Sequence, residues 1–194
     1  YIRNDEERQE ILDLCEWWQG KTVADRIEGR LSYDQSKGSE TGEKIFQTNL
    51  YHYAGTGHLA IDYAKLMRVG YDGLINEAKD KLSKLSMRDP EYNDKRDFYE
   101  AMIIMHEAAK TYIERYASLC EEKAKEEQDE KRKEELLMMA ENCHQIAGGT
   151  PQTFWQAMQL FNIATTLIQV ESNGHSISYG RMDQWLYPYY EKDI

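Results

Sequence analysis

Residues 89–147 read DPEYNDKRDFYEAMIIMHEAAKTYIERYASLCEEKAKEEQDEKRKEELLMMAENCHQIA, a run that holds Pro only at position 90 and no Gly. Pro is tolerated in the first turn of a helix, where its missing N–H would have no partner, so Asp89-Pro90 marks a helix start. Beyond it Phe98, Met102, Met105, Ala109, Tyr112, Tyr116 and Leu119 recur at alternating steps of four and three, which predicts one continuous apolar face. The run is too long for one ordinary globular helix, so the spacing predicts a helical hairpin over about 91–147. Its break is expected near Gln128-Asp129, with Asp129 as N-cap of the second helix. Glu121–Lys125, Glu127–Lys131 and Asp129–Lys133 stand four apart around the tip with the acid first, the favourable order for pairs on a solvated helical surface.

The neighbouring segments are also helical. Gly148-Gly149 closes the hairpin, and Thr150-Pro151 opens a helix through Phe154, Ala157, Met158, Phe161 and Ala164. Upstream, Asp5 to Gln19 places Ile11, Leu12, Cys15 and Trp18 on one stripe before Gly20. Two more helices are expected from about Ile61 to Val69 and from Tyr71 to Leu85, separated at Gly70. Residues 21–57 lack this rhythm and read as irregular chain with one short strand near Phe46–Tyr53. Ile177 and Tyr179 alternate as a short strand would, and Met182 to Tyr190 reads as a last helix. The chain is therefore expected to be mainly α.

Net charge is −11 with a pI near 5.0, and such a surface repels phosphate backbones, which disfavours nucleic acid as a partner. No apolar run approaches the roughly 20 residues that a membrane span needs, and polar residues interrupt Phe154–Val170. Cytoplasm is the expected location. The three cysteines, Cys15, Cys120 and Cys143, are widely spaced and odd in number, so neither a disulfide framework nor a zinc pattern is expected. Each sits among apolar helical neighbours and is expected to pack as a small hydrophobe. Metal binding has little support, since no His-x-x-x-His pair occurs. Tyr1 at one end and Glu191-Lys192-Asp193-Ile194 at the other read as cuts through a longer protein.

Two stretches differ from this background. Tyr53-Ala54-Gly55-Thr56-Gly57-His58 and Glu171-Ser172-Asn173-Gly174-His175-Ser176-Ile177-Ser178 each put a His after a Gly in a polar turn beside a core element. Glycine lets a backbone approach a ligand closely, and imidazole donates or accepts near neutral pH. Spacing alone leaves both a structural and a ligand-binding role open for these histidines. Gly-Thr-Gly has neither the dinucleotide nor the P-loop context.

The combination of Pro151-Gln152-Thr153-Phe154-Trp155-Gln156-Ala157-Met158 with Asn173-Gly174-His175-Ser176-Ile177-Ser178-Tyr179-Gly180-Arg181 resembles the pyruvate formate-lyase-like glycyl radical enzymes. Gly57-His58, Asp62-Tyr63-Ala64-Lys65-Leu66 and Val69-Gly70-Tyr71 are similar to an early barrel segment of the same family. The resemblance implies that residues 1–194 form part of a ten-stranded β/α barrel domain. It also implies a glycyl radical in the full-length enzyme, installed by an S-adenosylmethionine and iron–sulfur activating enzyme, with no cofactor bound directly. A homodimer is implied, with a bacterial microcompartment as one cytoplasmic setting.

The Gly-Cys-Val/Ile-Glu block of the family's catalytic Cys loop has no counterpart around Cys15, Cys120 or Cys143, and the radical-bearing Gly loop is also missing. No catalytic residue is therefore expected within these residues, and the chain alone is expected to be inactive. His58, His175 and Ser176 resemble the substrate-binding set of the glycerol and 1,2-diol dehydratases. By that resemblance the two histidines hold substrate hydroxyls, one helps water leave, and Ser176 completes a pocket for a small polar substrate. Imidazole is a poor replacement for the bidentate guanidinium clamp that a carboxylate substrate requires. The alternatives are a lyase acting on hydroxyproline, choline or isethionate, a formate C-acetyltransferase, and a non-catalytic helical interaction module.

Overall fold

The computed structural model describes residues 2–22, 25–26, 58–172 and 176–194. The chain divides into two compact units, residues 1–59 with 170–176 and residues 60–169 with 177–194. The strand expected near Phe46–Tyr53 lies outside the described residues.

In the first unit, helix α1 spans Asp5–Trp18. The Asn4 side chain caps it by accepting the Glu7 N–H at 2.8 Å, and Asp5, Glu6 and Glu7 place negative charge at the positive end of its dipole. Gly20 ends the segment at φ 72°. No residue of α1 is buried, and Cys15 is exposed. The expectation that Cys15 packs as a buried hydrophobe is thus corrected: the apolar stripe exists in sequence, but no described residue covers it.

The second unit is helical. After strand β1, Leu59–Ala60, helix α2 runs over Tyr63–Ser83. It begins two residues later than the apolar spacing predicts, because the Asp62 carboxylate caps it through the Lys65 N–H at 2.9 Å. At Gly70 the backbone leaves helical geometry for φ 63°, ψ −179°, which kinks the helix where the sequence predicts a break. This region of backbone space is essentially restricted to glycine. The site is also crowded, since a Cβ on Gly70 would lie 2.5 Å from the Gly148 carbonyl oxygen and 2.6 Å from that of Gly149.

Helices α3, Tyr92–Glu126, and α4, Glu130–Gly148, pack along each other across a three-residue break at 127–129. The Asp129 carboxylate caps α4 through the Arg132 N–H at 3.1 Å, as the sequence predicts. The start of α3 falls at Tyr92 rather than at Pro90. The Asp89 carboxylate instead accepts the Glu91 N–H at 2.9 Å and the Lys95 ammonium at 2.7 Å, making Asp89-Pro90 a turn before the helix.

The buried face of α3 is Ala109, Ile113, Ala117, Cys120 and Ala124. It shares only Ala109 with the face read from the sequence, of which Phe98, Met105, Tyr116 and Leu119 are exposed. Small residues let α4 approach closely, and the bulkier side chains are displaced to the flanks. The three ion pairs expected at the tip do not form. Glu121 instead meets His144, Glu127 accepts the Gln128 and Asp129 N–H groups, and Asp129 serves as the cap. The pairs observed there are Arg132–Glu135 at 2.7 Å and Lys133–Glu130 at 3.7 Å.

Helix α5 spans Phe154–Glu171 and begins after Thr153, whose hydroxyl accepts the Gln156 N–H at 3.2 Å. Thr150-Pro151 therefore lies just ahead of the helix that it announces. Strand β2, Ile177–Ser178, joins β1 in a two-stranded sheet, and helix α6 covers Met182–Asp193. The end of α6 staples the start of α5, because Asp193 accepts the Phe154 N–H at 2.7 Å and Lys192 donates to the Gln152 carbonyl at 2.9 Å.

The core gathers Tyr63, Ile113, Cys143, Ile146, Ala157 and Leu160, all nearly inaccessible to solvent. Tyr63 stacks on Trp185 at 5.1 Å and meets the Phe161 edge at 5.1 Å. Its hydroxyl lies 2.7 Å from Thr165 Oγ1, and Thr165 donates its own proton to the Phe161 carbonyl at 2.8 Å. Thr has a single O–H, so Tyr63 must be the donor of the pair. Burial raises the Tyr71 pKa to about 12, so this core hydroxyl stays neutral across the physiological range. Gly70→Ala is expected to destabilise the protein by about 3 kcal/mol or more, through backbone strain and the carbonyl clash together. Urea unfolding measures the effect, and an unchanged midpoint would contradict the role given to the kink.

Candidate functional site

The first unit brings together two of the three residues that the sequence singles out. His58 directly precedes β1 and Ser176 directly precedes β2. The Leu59 N–H donates to the Ser176 carbonyl at 3.1 Å, so the residue after His58 is tied to the backbone of Ser176. Both side chains are exposed. His175 lies outside the described residues, as do Asn173, Gly174 and the Gly55-Thr56-Gly57 turn. The expected convergence of the two histidines therefore falls outside them as well.

Backbone geometry sets this pair apart. Among the described residues, His58 at φ 56° and Ser176 at φ 32° are the non-glycine residues with positive φ. For an L-residue the left-handed region costs about 1–2 kcal/mol, because Cβ crowds the following carbonyl. Such strain persists only where surrounding structure holds it, and it gathers at ligand clamps and active sites. The family resemblance singles out His58 and Ser176, yet their shared strain is invisible without coordinates.

Ser172 was not singled out by sequence. It is 2% exposed, and its hydroxyl has no hydrogen-bond partner among the described residues. A buried hydroxyl normally finds a partner, so this one stands out beside the Asn173–Ser176 stretch. The only sequence signal was its place inside the polar block beginning at Glu171.

A separate cavity of about 670 Å³ opens among α3, α4 and α5, lined by Tyr112, Tyr116, Met138, Asn142, Trp155 and Met158 among others. Cys120 and Cys143 also line it, and neither His58 nor Ser176 does. Both thiols are buried. Burial pushes the Cys143 pKa up to about 11 and raises that of Cys120, so both are held as neutral thiols and are poor nucleophiles. These two cysteines pack as the sequence suggests. Among the described residues no cluster of three or more metal-ligating side chains occurs, and no helix is long and apolar enough to cross a membrane.

A family model described as pyruvate formate lyase-like matches residues 1–194. The chain belongs to the pyruvate formate lyase-like family. Within this family it is 72% identical over 194 residues to a (2S)-3-sulfopropanediol dehydratase of Klebsiella oxytoca, covering 100% of this chain and 24% of that protein. Among solved structures, the glycerol-bound B12-independent glycerol dehydratase of Clostridium butyricum superposes with a TM-score of 0.82 at 39% identity, over 97% of this chain and 24% of that one. A Roseburia inulinivorans structure concerned with 1,2-propanediol dehydration gives a TM-score of 0.84 at 32% identity, over 100% of this chain and 23% of that one. The chain spans about a quarter of the length of these pyruvate formate lyase-like proteins. Its mainly helical architecture is that of the corresponding part of the glycyl radical enzymes.

Ser176→Gly is expected to leave stability unchanged or to raise it by about 1 kcal/mol, because glycine enters the left-handed region without crowding. Ser176→Val should lower stability by about 1–2 kcal/mol, since a β-branched side chain tolerates that region poorly. Thermal unfolding of the two variants gives the comparison, and equal midpoints would show that the backbone at Ser176 carries no strain.

Proposed function

We propose that this chain forms part of the substrate-binding wall of a glycyl radical dehydratase, which removes water from a three-carbon 1,2-diol to leave an aldehyde. The observation that carries the reading is the strained pair His58 and Ser176, joined through the Leu59 N–H and the Ser176 carbonyl. Similarity to proteins named for dehydration of sulfopropanediol, glycerol and propanediol supports the same substrate class.

His58, His175 and Ser176 are assigned to binding rather than to the bond-breaking step. An imidazole and a serine hydroxyl suit the hydroxyl oxygens of a diol, since each can donate or accept. One histidine donates a proton to the departing hydroxyl, which leaves more readily as water. Holding the reacting hydroxyls in fixed orientation lowers the entropic part of the barrier. The glycyl radical of the longer protein supplies hydrogen-atom abstraction, and the sequence here contains no Gly-Cys-Val/Ile-Glu block that would take part in it. Activity thus belongs to the longer protein, and the 194 residues alone are assigned none. The proposal includes a radical-installing S-adenosylmethionine activating enzyme as partner, a homodimeric assembly, and a cytoplasmic or microcompartment setting. Absence of direct cofactor binding by these residues is part of the same reading.

The test uses the full-length protein, activated without oxygen and offered (2S)-3-sulfopropanediol, glycerol and 1,2-propanediol, with pyruvate, isethionate, choline and trans-4-hydroxyproline as competitors. Turnover is expected with a diol, the sulfonated one first because of the 72% identity. His58→Ala should lower kcat/KM by on the order of 100-fold, the usual contribution of a positioned proton donor. Turnover of a competitor with none of any diol would overturn the assignment.

A further inference from the structure

His144 on α4 stands between two carboxylates of α3. Its Nδ1 lies 2.8 Å from Glu114 Oε2 and its Nε2 lies 3.0 Å from Glu121 Oε1. An ionised carboxylate only accepts hydrogen bonds, and a neutral imidazole carries one N–H. Both contacts are therefore made together only when both ring nitrogens are protonated. Glu114 and Glu121 are seven residues apart, two turns along one face of α3, so one ring ties two turns of that helix to α4. We propose that the helical pair carries a proton-operated clasp, in which the His144 imidazolium holds Glu114 and Glu121 and gives up one of them when the ring becomes neutral.

The surroundings favour this reading over a structural ion pair of fixed charge. The Glu121 hydrogen bond raises the basicity of the ring most, burial opposes it, and the Glu114 hydrogen bond and the charge of both carboxylates add to the rise, with no Lys or Arg among the causes. From α2, Asp72 engages Lys110, which acts on Glu114 in turn and does not reach the ring. Helix α5 bears no charged residue before its terminal Glu171, so nothing on that side competes. A metal ion is a poor alternative occupant, because the two carboxylates address opposite nitrogens of the ring and cannot meet at one centre. Neighbouring Cys143 is a neutral thiol near neutral pH and adds no charge.

The sign follows from linkage. The folded-state pKa of His144 is raised above its ordinary value of 6.5, so the stabilisation is fully present below that value. It is lost as pH rises through the folded-state pKa. All three side chains are about half exposed, which makes the effect modest and sensitive to salt.

Hydrogen-exchange mass spectrometry of the full-length protein, corrected for intrinsic exchange rates, reads this out in peptides covering residues 110–125 and 138–148. Protection in the parent is expected to fall by about two- to fivefold between pH 6 and pH 9, a range set by the worth of exposed ion pairs. His144→Gln should remove that pH dependence and match the parent at pH 9. Glu121→Gln and Glu114→Gln should each shift the transition to lower pH, which tests the clasp even if the His144 variant folds poorly. Equal pH dependence in parent and His144→Gln, or no shift in either glutamine variant, would overturn the proposal.

Discussion

At Gly70 the α2 backbone takes a conformation that a side chain would forbid, and it does so against the carbonyl groups of Gly148 and Gly149. Two glycine-marked positions, one in mid-helix and one at a helix end, are thus pressed together across the helical unit. The contact lets α2 change direction where α4 finishes, and it leaves no room for even a methyl group at Gly70. On either side of the kink, Leu66, Met67, Tyr71 and Ile75 are buried in the second unit. The ladder of small residues on α3 and α4, including Ala109, Ala117, Ala140 and Ala147, continues the same close packing along the bundle.

Polar groups then fix what packing leaves adjustable. Tyr63 spends its hydroxyl proton on Thr165, while the end of α6 caps α5 through Asp193 and Lys192. Tyr189 adds a donor to the Met67 carbonyl at 3.2 Å. These bonds connect elements far apart in sequence, so they report on the folded unit rather than on any helix alone. Among the described non-glycine residues, left-handed backbone strain falls at His58 and Ser176, the positions proposed to meet substrate.

The helix inventory was legible from sequence because periodicity and breakers act locally. Asp129 capped the second hairpin helix, Gly70 broke α2, and Gly20 ended α1, each for reasons contained within a few residues. The buried side of α3 was not legible. Its bulky residues outlined one stripe, yet the structure buries the alanine-rich stripe beside it, since the approach distance of α4 rewards small side chains. Local hydrophobicity says which residues could be inside, and only the partner helix decides which are. The same limit applies to Cys15, apolar in context and exposed in the fold.

For the site, sequence supplied residue types and a family resemblance, which singled out His58, His175 and Ser176 as candidates. It could not supply the hydrogen bond that ties Leu59 to Ser176, the left-handed backbone at both residues, or the buried hydroxyl of Ser172. Nor could it show that Glu121 would turn from its neighbour Lys125 to His144 on another helix. Caps, breaks and helix lengths follow from short-range sterics and hydrogen bonding, and the chain encodes them position by position. Which face is buried, which acid finds which base and where strain accumulates depend on groups from different elements meeting in space, 23 residues apart for Glu121 and His144 and 102 for Tyr63 and Thr165, and the tertiary structure alone decided them.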